Sequence, residues 1–133
     1  MKVNSKSIKI IYIDQCRVMT KFWERSLKDK LELISLNDLS MLEHNFKEFA
    51  PDLIVIDAIT LKALNSEWQE LKPELKKASG AKLVVSGTKD ELDKLAIIDE
   101  SVLLKPLDPL SMFDLISNLL SNDRCSESLK GSH

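Results

Sequence analysis

Apolar residues follow two rhythms along the chain. Five short, nearly continuous apolar runs recur: Ser7 to Ile13 (SIKIIYI), Leu33 to Leu36, Leu53 to Ile56 within PDLIVIDAIT (Pro51 to Thr60), Lys82 to Ser86 (KLVVS) and Ser101 to Leu104. Such runs are too short for buried helices and rich in β-branched residues, so they predict strands covered on both faces. Between them apolar residues return every three or four positions, as on the buried stripe of a helix. Arg17 to Leu31 carries Val18, Phe22, Leu27 and Leu31 in this way. Asn37 reads as an N-cap, followed by Leu39, Leu42, Phe46 and Phe49. Leu61 to Ser79 is amphipathic, with Pro73 expected to break it and Gly80 to stop it. Lys89 to Ile98 predicts a short fourth helix, and Pro109 opens a fifth with Phe113, Ile116, Leu119 and Leu120 inward. Strand and helix alternate five times, which predicts an α/β fold: a five-stranded parallel sheet, doubly wound by five helices.

Composition narrows the classes without changing that picture. The chain has 133 residues, enough for one domain with its own core, expected over residues 1–122 with a polar tail over 123–133. Its net charge of −2 comes from 19 basic and 21 acidic side chains. These are interspersed, as in Glu70, Lys72, Glu74, Lys76 and Lys77, which reads as a solvated helix face rather than a nucleic-acid stripe. No direct nucleic-acid partner is expected. No stretch approaches the roughly 20 apolar residues of a membrane span, and the start lacks the apolar core of a signal peptide. Cys16 and Cys125 are the only cysteines, so a disulfide framework is not expected and a cytoplasmic setting is.

The candidate chemistry sits at four strand ends. The first strand stops at Asp14, the third at Asp57, the fourth at Ser86 and the fifth at Lys105. In an open parallel sheet the working site lies beyond the carboxyl ends of the strands, so these side chains are expected to converge. Two carboxylates there make a hard oxygen site suited to Mg²⁺. A hydroxyl and an ammonium beside them can hold the oxygens of a phosphoryl group on the central carboxylate. The plain alternative for Asp57 is a helix N-cap or turn residue. Trp23 and Trp68 read as packing residues, His44 as an exposed one and Cys16 as a small loop residue.

IYID at Ile11–Asp14, PDLIVID at Pro51–Asp57, VVSG at Val84–Gly87 and LLKPLDP at Leu103–Pro109 together resemble the receiver domain of bacterial two-component response regulators. The resemblance runs from about Lys9 to Leu120. It implies a flavodoxin-like fold in which Asp57 accepts a phosphoryl group, Ser86 is the switch hydroxyl and Lys105, before a cis proline bond, contacts that group. It further implies that Asp14, Asp57 and the main-chain carbonyl of Ile59 ligate Mg²⁺. The implied partners are a histidine kinase or phosphotransfer protein, and a downstream protein docking on the fourth and fifth helices, with a homodimer also allowed. Such a domain is a signalling element rather than an enzyme.

Departures from the family pattern shape the expectation. Where the family places a second acid after the first strand, this chain has Gln15. Losing one charge facing a dication costs on the order of a few kcal/mol, so Gln15 is at most a weak ligand and Mg²⁺ affinity is expected to be low. Ile59-Thr60 follow Asp57 in place of the usual Met-Pro, and Val102 stands where many members carry a switch aromatic. The segment between Ser86 and Lys105 is about one helical turn shorter than usual. These features allow a degenerate, phosphorylation-independent interaction module as well as a working receiver. A haloacid-dehalogenase-like phosphatase with Asp14 as nucleophile is the alternative from another class. It lacks a second acid at Cys16 and gives Asp57 no role.

Overall fold

The structure, a computed structural model, describes residues 7–95, 97 and 100–121. The tail over 123–133 with Cys125 lies outside them, as does Ile98, and the helix predicted to end there closes earlier, at Asp93. Strands β1 (Lys9–Ile13), β2 (Glu32–Leu36), β3 (Leu53–Asp57), β4 (Lys82–Gly87) and β5 (Ser101–Leu104) form one sheet, all pairs parallel. Their order is β2-β1-β3-β4-β5. Helices α1 (Arg17–Leu27), α2 (Leu42–Phe49), α3 (Ala58–Ala63), α4 (Asn65–Ser79) and α5 (Lys89–Asp93) lie between the strands, and α6 (112–121) follows β5. None of the described helices is long and apolar enough to cross a membrane.

Alternation along the strands divides the core in two. Ile11, Ile13, Ile54, Ile56, Leu83 and Val85 face α2, α3 and α4, where Leu42, Phe46, Leu61, Trp68 and Leu75 close the layer. Ile10, Tyr12, Leu53, Val55, Val84 and Leu103 face the other way, onto Trp23 and Leu27 of α1 and Met112 and Ile116 of α6. Every residue of β3 is buried, as its unbroken apolar run requires of the central strand.

Three expectations are corrected in detail. Helix α1 stops at Leu27 rather than Leu31, because Asp29 takes a left-handed φ of 68° that turns the chain back into β2. Its buried residues are Thr20, Trp23 and Leu27, whereas Val18 is 75% exposed. Asn37 does not cap α2, which begins at Leu42; its side-chain amide instead donates to the Asp14 carbonyl at 2.9 Å and ties β2 to β1. Pro73 does not break its helix. Exposed Pro73 lies inside α4, held between the fully buried Trp68 and Leu75, and the interruption falls earlier, at Leu64. Gly80 ends α4 in the left-handed conformation its sequence position predicted.

A buried polar group locks α4 to the entry of β5. The Trp68 indole N–H donates to Glu100 Oε2 at 2.8 Å, and Lys72 Nζ lies 3.4 Å from the same oxygen, with side-chain exposures of 9% for Lys72 and 2% for Glu100. Burial works to raise the Glu100 carboxyl, but the indole, a backbone amide and Lys72 outweigh it and hold the group below the ordinary 4.5. The unfolded chain therefore binds this proton more readily than the folded one. The stabilisation is complete above the ordinary value and fades as pH falls through the depressed folded value. Urea unfolding followed by tryptophan fluorescence should show wild-type stability declining in this acid range, with a flatter profile for Glu100→Gln.

Candidate functional site

The same alternation that builds the second core layer delivers the site. Asp14 continues the series Ile10, Tyr12; Asp57 continues Leu53, Val55; Ser86 follows Val84, and Lys105 follows Leu103. All four leave the sheet at its carboxyl edge on the side of α1 and α6. Asp57 pairs in register with Ser86, and Asp14 lies one residue past the paired Ile13 and Ile56. The point between β1 and β3, where strand order reverses, is where open α/β sheets bind ligands.

Asp57 joins three segments of this edge. Its Oδ1 meets Lys105 Nζ at 2.5 Å. Its Oδ2 accepts from the amides of Ile59 at 3.1 Å and Thr60 at 3.2 Å, which makes it the N-cap of α3. The cap and the site residue are thus one side chain, and the two readings of Asp57 do not compete. Lys105 precedes a cis Lys105-Pro106 bond, and its own amide donates to the Gly87 carbonyl at 2.8 Å, which fixes it at the end of β4. Gly87 is required by space: a Cβ there would lie 2.7 Å from the Ala58 Cβ, so the end of β4 can sit this close to the start of α3 only without one.

Asp14 is held by its own chain on both oxygens. Oδ2 accepts from the Tyr12 hydroxyl at 2.6 Å, and Oδ1 from the Cys16 amide at 2.9 Å. Burial, then the hydrogen bond to Asp14 and the charges of Asp14 and Asp57, push the Tyr12 phenol far above its ordinary range, so it remains a protonated donor. Its ring stacks on Trp23 with centroids 4.1 Å apart.

Ser86 is fully buried, and among the described residues its Oγ has no hydrogen-bond partner, as also holds for Trp23 Nε1. A buried hydroxyl without a partner is uncommon, and this one is free to donate to an acceptor brought to the edge. Gln15 is exposed, and its contact with the site is through its main-chain N–H, which donates to Thr60 Oγ1 at 2.9 Å. Cys16 is exposed beside it and His44 is exposed on α2, as expected.

Thr60 and Tyr12 are the residues that strand-end reasoning missed. Thr60 spans both acids: its amide donates to Asp57 and its hydroxyl lies 3.5 Å from Asp14 Oδ1. A threonine three residues past a capping aspartate is a visible signal for the first contact, because N3 amides complete N-caps. Nothing in the sequence signals the second. In the sequence Tyr12 stands only as one position in the run that forms β1.

The donor set suits Mg²⁺ in kind. Mg²⁺ keeps several waters and uses one or two carboxylates, which Asp14 and Asp57 supply as hard oxygens. Among the described residues no group of three or more His, Cys, Asp or Glu comes together, so the protein's share of such a shell is small.

No family model matches this chain, and no curated protein matches it. Solved structures do match. A response-regulator signal receiver domain from Bermanella marisrubri superposes with a TM-score of 0.65 at 23% identity, over 86% of this chain and 99% of that one. The N-terminal signal receiver domain of a two-component response regulator from Bacteroides fragilis gives 0.68 at 16% identity, over 86% and 98%. A response regulator from Thermotoga maritima gives 0.69 at 13% identity, over 87% and 99%. The chain has the receiver-domain fold, as its alternation of strands and helices and its motifs predicted.

Because the Ser86 hydroxyl has no partner to lose, Ser86→Ala should change stability by no more than about 1 kcal/mol in either direction. Chemical denaturation reads this directly. A loss of several kcal/mol would mean the hydroxyl is bonded in the resting fold.

Proposed function

We propose that this chain is a receiver-like signalling domain that accepts a phosphoryl group on Asp57. The observation that carries the reading is the contact of Lys105 with Asp57 Oδ1, beside a buried Ser86 hydroxyl that lacks an acceptor. Oδ1 is the oxygen for attack, since Oδ2 is held by two backbone amides at the head of α3. As Oδ1 forms its bond to phosphorus, the bond to the donor breaks and the donor leaves with the electron pair. Lys105 follows the new phosphoryl oxygens as a cation, and Ser86 gains the acceptor it lacks. Asp14, Asp57 and the Ile59 carbonyl would hold Mg²⁺, which when bound neutralises charge on the phosphoryl oxygens.

The partner that brings the phosphoryl group is a histidine kinase or phosphotransfer protein. Two open grooves support a docking face for it along α1 and the loop after β5. One, of about 390 Å³, is lined by Met19, Phe22, Thr88, Lys105, Pro106 and Leu107, and so reaches the site lysine. The other, of about 570 Å³, shares Phe22 and adds Val18, Lys21, Arg25 and Pro109. Output goes to a protein on the α5–β5–α6 face, where Val102, Leu104 and Leu110 are 47%, 56% and 84% exposed. This face is also the one a homodimer would use.

Gln15, exposed at the edge of the site, and the chain-held Asp14 favour a second reading, an interaction module that keeps the fold and works without phosphate. The phosphatase alternative has no support: the matched structures are receiver domains, and Lys105 contacts Asp57 rather than Asp14.

Intact-protein mass after incubation with a small-molecule phosphodonor and Mg²⁺ separates the two receiver readings. The expected result is a single phosphoryl adduct that Asp57→Asn abolishes. No adduct on the wild type, with one gained by Gln15→Asp, would assign the chain to the interaction module.

A further inference from the structure

Tyr12 is a buried titratable residue at the edge of the site that phosphoryl transfer to Asp57 leaves without a role. It is fully buried, fixed against Trp23 by ring stacking, and its hydroxyl is spent on Asp14 Oδ2. Asp14 is itself 2% exposed, so its charge has little water to lean on and depends on donors from the chain. Three reach it: the Tyr12 hydroxyl, the Cys16 amide and, at 3.5 Å, the Thr60 hydroxyl. A phenol and a divalent cation answer the same need of this carboxylate.

We propose that Tyr12 is a positioning residue that lowers the cation affinity of the site, by satisfying the Asp14 oxygen that a divalent cation would otherwise satisfy. The inference rests on the reading of Asp14 and Asp57 as the cation's carboxylates. Its direction follows from which state the phenol stabilises. Without a cation, removing the hydroxyl strands a buried anionic oxygen, an unfavourable state. With a cation on Asp14 that oxygen is satisfied again, so the loss falls mainly on the cation-free protein and binding tightens. Cys16 and Thr60 still orient Asp14 in the variant, and the ring of phenylalanine keeps the stack on Trp23. Gln15, by omitting a charge, acts in the same direction. The chain thus weakens its cation site twice, and holds the acidic pair in place by hydrogen bonds instead.

The test is a Mg²⁺ titration of wild type, Tyr12→Phe, Asp14→Asn and Asp57→Asn, followed by the NMR amide shifts of Cys16 and Thr60. Tyr12→Phe should bind Mg²⁺ on the order of tenfold more tightly than wild type. Mg²⁺ should also raise the melting temperature of this variant more than that of wild type. A merely structural role would give the opposite sign, since a disordered Asp14 binds less well. Unchanged or weaker binding by Tyr12→Phe, with the titration still sensitive to Asp14→Asn and Asp57→Asn, overturns the role of Tyr12 alone. A titration insensitive to both acid variants overturns the cation reading and this inference with it.

Discussion

The carboxylate of Asp57 is the constraint on which the working edge depends. One oxygen is bound by a side chain from beyond β5, the other by two amides that open α3. A single buried anion therefore ties the central strand, the helix after it and the loop past the edge strand. Lys105 keeps 18% of its side chain exposed, so solvent screens part of the pair, but its loss would leave the buried Asp57 with its two amides alone. A group added to Oδ1 must act on all three segments at once. This gives the proposed modification structural leverage even where Val102, which cannot swing as an aromatic ring does, replaces a larger switch.

Much of this was legible in the sequence, for a physical reason. Buried parallel strands must be apolar on both faces, so their ends are marked by the first polar residue, and Asp14, Asp57, Ser86 and Lys105 are those residues. Alternation then carries all four to one side. Helices were less legible. Pro73 looked like a break because local propensity opposes proline in a helix, but Trp68 and Leu75 hold α4 across it, and tertiary packing prevails. Asn37 carried a true polar signal with the wrong object: it bonds the Asp14 carbonyl rather than the head of α2. Tyr12 left no trace because an aromatic residue in a strand is ordinary, and only the fold puts its hydroxyl beneath an acid two residues on.

The acidic pair differs from what strand-end logic alone implies. Two carboxylates at one edge invite a cation, yet Asp14 is answered largely from within by a phenol and an amide. Gln15 and Tyr12 lie on either side of Asp14 in the sequence, and both reduce what a cation would gain. The geometry of the site is thereby set by the chain itself, with Thr60 linking the two acids.

The shortness of β5 has a consequence for how the molecule behaves in company. An edge strand offers unpaired amides and carbonyls to any passing chain, and here it also shows Val102 and Leu104 to solvent. Yet β5 is only four residues long and runs within two residues of Pro106, which has no amide to donate. A second strand could find only a few ladder bonds before the edge runs out. The face can keep its exposed apolar side chains while remaining a poor template for strand-to-strand aggregation.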